Sequence, residues 1–322
     1  MKIFLARGGR LQTEDSTDWH ELPKIVKDPS VSLWVDMDRL DDDEIELLAE
    51  RFSFHPLAIE DCIHARSRPK IEEYDGYLFI VIRSVDGRIN PEGLDTTQLS
   101  VFLGTNYAVT VHDGSVRGAL LAKERLGTNP QLLSKGPDVL AHSILDVTID
   151  NYFPILDEMD DHLDRLEDRI FTDFTPRALE DIFAIKKDVL HFRRLIGPQR
   201  DMFNVLSHRE YPQIKPETRA YFRDIYDHLV RLVDMLEVYR DILTGAFDSY
   251  ISQVQNRTNE VIKRLTIVAT VLLPLSFLAG IFGMNFKFLP GLEHPAGPWV
   301  LIGIMVTLAV GMIFYFRKKK WV

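Results

Sequence analysis

The sequence predicts an α+β membrane protein, in which a long helix follows an N-terminal α/β domain and continues into the first of two C-terminal membrane-spanning helices. Residues 265–282 carry no charge. At about 18 residues, this segment approaches the ~20 that a helix needs to cross a hydrocarbon core of ~30 Å. A second uncharged segment covers residues 299–316. No proline interrupts residues 217–273, so residues 217–282 can form one helix about 100 Å long.

Basic residues predict the orientation of the two spans. Lys263 and Arg264 precede the first span, and the segment 317–320, Arg-Lys-Lys-Lys, follows the second. The connecting loop contains a single basic residue of this kind, Lys287. Because cytoplasmic flanks are enriched in Lys and Arg, we expect both termini in the cytoplasm and the loop outside. The chain is therefore expected to be a multi-pass protein of the cell (inner) membrane.

Composition limits the partners of the region before the spans. The chain has 48 acidic and 38 basic residues, a formal charge of −10. This balance argues against a nucleic-acid partner, which would require a basic face, and is compatible with binding cations. The single cysteine, Cys62, cannot form a disulfide within the chain, which favours a reducing compartment.

Residues 1–135 are predicted to form the α/β domain. Four segments rich in Val, Ile, Phe and Tyr are predicted strands, namely 32–37, 77–85, 98–103 and 107–112. Helices are predicted over residues 41–51 and from Pro56 onward. Helical spacing of apolar residues recurs over residues 138–172 and 176–206. The carboxylate-rich stretch 157–168 is either a solvated helix face or a surface that attracts cations. The predicted regions are 1–135, a helical acidic region 136–212, a stalk helix and first span 217–282, an outer loop 283–298, a second span 299–316 and a basic tail 317–322.

One face of the first span carries small and polar residues at steps of three and four. The stripe consists of Asn259, Ile262, Thr266, Ala269, Leu273, Ser276, Gly280 and Gly283. Such a stripe can serve close helix packing, because small residues let backbones approach in membranes. It can also line a pathway, but two spans cannot enclose a pore, so several chains would have to assemble. In that case Ile262, Leu265 and Leu273 would form hydrophobic constrictions that gate by dewetting.

A short motif at the end of the first span points to a family. Gly283-Met284-Asn285-Phe286 is followed by a proline-containing loop, the second span and a C-terminal Lys-Lys-Lys-Trp. With the segments Tyr-Phe-Arg-Asp-Ile-Tyr-Asp at 221–227, Thr-Asn-Glu at 258–260 and Arg-Pro-Lys at 68–70, the chain resembles the CorA family of divalent-cation channels, named for magnesium and cobalt transport. A tyrosine commonly precedes Gly-Met-Asn in that family, whereas this chain has Phe282.

The resemblance implies a funnel-shaped homopentamer whose first span lines the pore, with the second span outside it. It also implies that Gly283, Met284 and Asn285 form the selectivity loop. A ring of neutral Asn285 amide oxygens suits Mg²⁺, which gives up its water reluctantly. Mg²⁺ is thus the implied cargo, with Co²⁺ and Ni²⁺ as further candidates, and no organic cofactor is implied.

The resemblance further implies that cytoplasmic Mg²⁺ binds between subunits and holds the pore shut. The matching acidic residues are Asp61, Asp224 and Asp248. Without the resemblance, each of these would be read as an ordinary surface ion pair or helix cap. Glu293 in the outer loop could raise the local cation concentration, or could be an ordinary exposed glutamate.

Three other hypotheses remain open at this point. A zinc transporter of the ZntB kind is related, although the intact Gly-Met-Asn favours the first reading. A membrane-anchored metal-dependent enzyme could use His55, Asp61 and His64 as zinc ligands. A sensor without a pore would be distinguished by flux measurements. The sequence leaves the ion preference open, because most sites bind transition metals more tightly than Mg²⁺.

Overall fold

In a computed structural model, the chain divides between Ala246 and Phe247 into two units, Met1–Ala246 and Phe247–Val322. The structure describes residues 1–8, 10–14, 22–64, 67–85, 95–129, 131–172, 175–284, 296–319 and 321. Asn285, Phe286, Lys287 and Glu293 lie outside the described residues.

The described part of the first unit contains a seven-stranded sheet. Its strands are β1 (Lys2–Arg7), β2 (Arg10–Glu14), β3 (Val31–Asp38), β4 (Lys70–Tyr74), β5 (Tyr77–Val85), β6 (Thr96–Gly104) and β7 (Tyr107–His112). The strand order is β2-β1-β3-β7-β6-β5-β4. β3 and β7 are parallel, and the other neighbouring pairs are antiparallel. The four predicted strands correspond to β3, β5, β6 and β7.

The helices of the chain differ widely in length. They are α1 (Leu22–Val26), α2 (Asp42–Glu50), α3 (Pro56–His64), α4 (Arg117–Thr128), α5 (Gln131–Ser134), α6 (Pro137–Asp150), α7 (Phe153–Thr172), α8 (Pro176–His208), α9 (Pro216–Phe282) and α10 (Gly297–Lys318). The helix predicted over residues 41–51 is α2. It begins with a capping box, in which the Asp41 side chain accepts from the Glu44 backbone and Glu44 accepts from the Asp41 backbone.

The core of the α/β domain lies between the sheet and the two helices α2 and α3. Leu33, Val35 and Met37 of β3 pack in one cluster with Leu48 of α2 and Ile59 of α3. α6 contacts β3, β5, β6 and β7. Strand β5 is almost continuously buried, which explains why residues 77–82 are apolar or aromatic without alternation.

The prediction of helix throughout residues 138–172 is wrong at one point. Two helices, α6 and α7, meet at Asn151 and Tyr152. Pro154 lies in the first turn of α7, where its missing N–H costs nothing, but the same proline would break the hydrogen bonding of a continuous helix. Asn151 Nδ2 donates to the carbonyl of Val85 (3.0 Å) and the Tyr152 hydroxyl to that of Arg83 (2.9 Å), so the break is fixed to the end of β5.

The predicted long helix is confirmed as α9, which has 67 residues and continues from the first unit into the second. In the first unit its buried residues recur at helical spacing, which accounts for its apolar stripe. They are Phe222, Ile225, Leu229, Leu232, Leu236, Tyr239 and Leu243. In the second unit, α9 and α10 are both long and apolar enough to cross a membrane. Pro274 lies inside the apolar part of α9 without ending the helix, as is common in membrane helices.

Candidate ion pathway and regulatory metal site

The predicted stripe on the first span is exposed in the single chain. We use "pore stripe" for Asn259, Ile262, Leu265, Thr266, Ala269, Leu273, Ser276 and Gly280. All eight are exposed. The apolar members are among the most open, with Leu273 at 71% and Leu265 at 64% exposure. This face of α9 is therefore available for contact with water, lipid or another chain.

The opposite face of the same helix is partly covered. We use "covered face" for the half-buried residues Ile267, Val271, Pro274, Leu275, Leu278, Ile281 and Phe282. At about 100° per residue, the centre of this face lies about 160° around the helix from the centre of the pore stripe. On α10 the less exposed residues also follow one stripe, namely Leu301, Met305, Ala309, Met312 and Phe316. In each helix the less exposed residues thus share one face, and on α9 this face lies away from the pore stripe.

Thr266 on the pore stripe keeps acceptor capacity on its hydroxyl oxygen. The Thr266 hydroxyl donates to the carbonyl of Ile262 at 2.8 Å, so its hydrogen is used within the helix. The lone pairs of its oxygen then remain as acceptors, which suit the hydrogens of the water around a cation. The Thr270 hydroxyl makes the same kind of bond to the carbonyl of Thr266 at 2.7 Å. Helix geometry alone therefore explains the side-chain rotamer of Thr266.

Only part of the predicted selectivity loop can be placed. α9 ends at Phe282, and the Gly283 amide donates to the carbonyl of Ala279 at 2.9 Å. A Cβ added at Gly283 would lie 3.1 Å from that same carbonyl oxygen, so a larger residue would strain the turn. Met284 is 52% exposed. Asn285, the residue that carries the selectivity argument, is not among the described residues.

The three predicted regulatory aspartates differ in their surroundings. Asp61 on α3 is engaged by Lys70, whose Nζ lies 2.6 Å from Oδ2, and by the Ser67 hydroxyl, which donates to Oδ1 at 2.5 Å. Burial alone would raise the pKa of Asp61, but Lys70 and Ser67 outweigh it and lower the pKa. Asp224 and Asp248 are exposed on α9. Asp224 lies 3.9 Å from Nε2 of His228.

A cluster that the sequence did not predict lies beside Asp224. Oxygen or nitrogen atoms of Asp146, Asp150 and His228 all lie within 4.8 Å of one another. We call these three residues the regulatory cluster, because they lie beside Asp224, for which the sequence predicts a regulatory role. His228 Nδ1 is 2.8 Å from Asp150 Oδ1, yet the two groups are not aligned as a hydrogen bond. The ligand atoms of these three residues are close enough together to hold a metal ion.

Burial and nearby charges both act on the titratable groups in and around the regulatory cluster. Burial raises the pKa of Asp146, with a further increase from the nearby charges of Asp150 and Asp224, opposed by His142 and His228. Burial lowers the pKa of His142, which lies one helical turn before Asp146, and its Nε2 has no hydrogen-bond partner among the described residues. Imidazole suits transition metals such as Ni²⁺ and Zn²⁺, whereas carboxylates suit Mg²⁺.

Comparison with known proteins decides the family. The family model for the CorA-like Mg²⁺ transporter protein matches residues 30–318. The chain belongs to the CorA family. The cobalt/magnesium transport protein CorA of Thermotoga maritima is 36% identical over 299 residues, which cover 92% of this chain and 85% of that protein.

Solved structures show the same fold. The complete structure of the CorA magnesium transporter from Methanocaldococcus jannaschii matches with a TM-score of 0.86 at 22% identity, covering 100% of this chain and 99% of that one. The ZntB cytoplasmic domain from Vibrio parahaemolyticus matches with a TM-score of 0.66 at 14% identity, covering 80% of this chain and 98% of that one. The predicted fold of a CorA-type divalent cation transporter, with an α/β domain, a long helix and two apolar C-terminal helices, is confirmed.

Membership of the CorA family also excludes the hypothesis of a membrane-anchored metal-dependent enzyme, since the family consists of transporters. Its proposed ligands are engaged separately in the structure. His55 Nδ1 lies 3.2 Å from the Leu57 amide, which donates to it, and His64 Nδ1 lies 3.0 Å from the carbonyl of Glu60. Among the described residues, His55, Asp61 and His64 are not grouped as a set of metal ligands.

Proposed function

We propose that this CorA-family transporter admits Mg²⁺ to the cell down its electrochemical gradient, through a pore formed by five copies of the chain. Co²⁺ and Ni²⁺ are further substrates. The protein lies in the cell (inner) membrane with both termini in the cytoplasm. The observation that carries the proposal is the position of the pore stripe, which is exposed on the single chain and lies opposite the covered face of α9. If the pore stripe lines a pathway between copies, it must be exposed on the single chain. If it served only to pack against α10, it would be covered instead.

The chemistry of the outer mouth supports a hydrated cargo. Asn285 follows directly on the Gly283-Met284 turn, so five copies bring five amide oxygens to one ring. Neutral oxygens hold hydrated Mg²⁺ without stripping its water and without binding it too tightly to release. A divalent ion that crosses 100 mV gains about 4.6 kcal/mol, at about 2.3 kcal/mol per charge, so entry requires no ATP.

Regulation by cytoplasmic cations completes the proposal. Asp61, Asp224 and Asp248 bind regulatory Mg²⁺ between subunits in the closed pore, and the regulatory cluster beside Asp224 adds Asp146, Asp150 and His228 to the ligands available. An ion that binds only the closed arrangement stabilises it. When the ion leaves, the facing carboxylates repel one another and favour opening.

Flux through purified protein in liposomes tests the proposal. With a cation-sensitive dye inside and a negative interior potential, we expect Mg²⁺ entry that increases with the potential, and entry of Co²⁺ and Ni²⁺ as well. Protein-free liposomes provide the baseline. Zn²⁺ entry without Mg²⁺ entry would instead favour a ZntB-type transporter, and the absence of any flux would favour a sensor without a pore.

A further inference from the structure

Trp321 folds back onto the end of α10. α10 ends at Lys318, and the Trp321 amide donates to the carbonyl of Phe316 at 2.9 Å. The Trp321 ring stacks on the Phe316 ring, with centroids 5.7 Å apart and an angle of 23° between the planes. Phe316 is only 8% exposed, whereas the neighbouring Phe314 is 70% exposed. The fold-back therefore shields Phe316, the last of the less exposed residues of α10.

The same tryptophan also contacts the first span. Nζ of Lys263 lies 5.9 Å from the centroid of the Trp321 ring, within the ~6 Å over which a cation is attracted to an aromatic face. Trp is the aromatic residue that binds cations best in this way. Trp321 thus contacts a basic residue of α9, Lys263, and an aromatic residue of α10, Phe316. These contacts connect the basic end of the first span to the basic end of the second.

A simpler explanation of Trp321 is that it anchors the helix among lipid head groups, where Trp is common. Trp299, at the other end of α10 and 76% exposed, has the surroundings expected of such an anchor. Trp321 differs, because its ring is stacked on Phe316 and also contacts Lys263. A lipid anchor requires neither contact.

We propose that Lys263, Trp321 and Phe316 form a tail clasp that fastens the C-terminal tail to the cytoplasmic end of the first span. Lys263 directly follows Ile262, which is the first apolar residue of the pore stripe in chain order. Trp321 is thus a positioning residue, which holds this end of the pore-lining helix at a fixed place relative to the second span. The connection to gating depends on the proposed function, whereas the clasp itself does not.

A double-mutant cycle on the full-length protein tests the clasp. The variants are Lys263→Met, Trp321→Ala and the two combined, and the readout is the midpoint of thermal unfolding of the purified oligomer. We expect each single substitution to lower the midpoint, and the combination to lower it no further than Trp321→Ala alone. Lys263→Arg and Trp321→Phe should restore part of the loss, because they retain the charge and the ring. The control cycle of Lys263→Met with Trp299→Ala should be additive.

Additive losses in the Lys263–Trp321 cycle would overturn the clasp and leave Trp321 as a lipid anchor. A second readout addresses its role in gating. Loosening the clasp should shift the cytoplasmic Mg²⁺ concentration that halves uptake, and an unchanged concentration in Trp321→Ala would contradict the positioning role. If the wild-type protein shows no uptake, the proposed function fails while the stability cycle still decides whether the clasp exists.

Discussion

Asp61 and Lys70 form an ion pair in which Nζ lies 2.6 Å from the carboxylate oxygen Oδ2. Lys70 also lies 2.8 Å from Glu72. Burial alone would lower the pKa of Lys70, but the bonds to the two carboxylates outweigh it and raise the pKa. The carboxylate expected to bind regulatory Mg²⁺ therefore already has a cation beside it. A divalent ion must displace Lys70 or share Asp61 with it.

We therefore expect Lys70→Met to strengthen the binding of regulatory Mg²⁺. Removal of the competing ammonium leaves the charge of Asp61 available, so a lower cytoplasmic Mg²⁺ concentration should protect the protein against protease. The measurement is the Mg²⁺ midpoint of protection, with Lys24→Met, an exposed lysine elsewhere in the domain, as the control. A midpoint that does not move, or that rises, would contradict a metal-binding role for Asp61.

The regulatory cluster leads to a second prediction, concerning metal preference. His228→Gln should weaken protection by Co²⁺ at least about tenfold, since imidazole is a preferred ligand of transition metals and losses of this size follow even from disturbing the groups around a ligand. Protection by Mg²⁺, which prefers oxygen ligands, should change less. His191→Gln, on the exposed side of α8, is the matched control. Equal losses for Co²⁺ and Mg²⁺ would show that His228 is not a metal ligand.

A buried charge network in the α/β domain predicts pH dependence. Asp36 is 2% exposed and is bonded by Lys123 and by the Thr110 hydroxyl, while His112 Nε2 lies 3.3 Å from its Oδ1. His112 Nδ1 lies 2.6 Å from the carbonyl of Gly114. Both ring nitrogens thus lie near acceptors, an arrangement that favours the doubly protonated, positively charged imidazole. Burial alone would lower the pKa of His112, but the contacts with Asp36, Gly114 and Asp38 outweigh it and raise the pKa.

The sign of the pH effect follows from the raised pKa. Stabilisation by charged His112 is complete below the ordinary histidine value of about 6.5 and is lost as pH rises through the higher folded-state value. His112→Gln should thus cost on the order of 2 kcal/mol at pH 6 and less at pH 9. Hydrogen exchange of the β3 and β7 amides, corrected for intrinsic rates, measures the loss of stability at each pH. His55→Gln, at an exposed histidine, is the control. An equal cost at both pH values would contradict a charged His112.

Accessibility of single cysteines can test the pore stripe directly. In a Cys62→Ala background the chain has no other cysteine, so Ser276→Cys on the pore stripe and Val271→Cys on the covered face each present one thiol. A membrane-impermeant thiol reagent should reduce flux through the Ser276→Cys protein, because the label occupies the pathway, and should leave the Val271→Cys protein unaffected. Block of the Val271→Cys protein alone would place the pathway on the wrong face.

Much of the fold could be predicted from local pattern. β5 and β7 are dense in Val, Ile, Phe and Tyr and were predicted with their observed bounds, and the lack of proline over residues 217–273 was sufficient to predict α9. Sequence pattern does not predict β4, because its sequence, Lys-Ile-Glu-Glu-Tyr, is largely polar. β4 lies at the edge of the sheet and is only partly buried, so polar residues are tolerated there. The parallel pairing of β3 with β7 depends on contacts between segments about 70 residues apart, which no local pattern contains.

The candidate sites also differ in whether local sequence pattern or contacts between distant segments bring their residues together. The pore stripe was predicted because its residues share one helix face, so spacing alone places them together. The regulatory cluster was missed because Asp150 and His228 lie on different helices and meet only after α6 and α9 pack. Its available signal was the spacing of His142, Asp146 and Asp150 at steps of four, with His228 four residues after Asp224. The Lys70 contact with Asp61 likewise depends on β4 lying beside α3.

Mg²⁺ uptake by the Asn285→Ala protein tests the central claim most directly. In cells without other Mg²⁺ transport, this change should reduce uptake to the level of cells lacking the protein, while expression and oligomer size stay as in wild type. Asn256→Ala, an exposed asparagine on α9 away from the pore stripe, should transport normally. Undiminished uptake by an intact Asn285→Ala oligomer would contradict the assignment of Asn285 to the outer mouth of the pore.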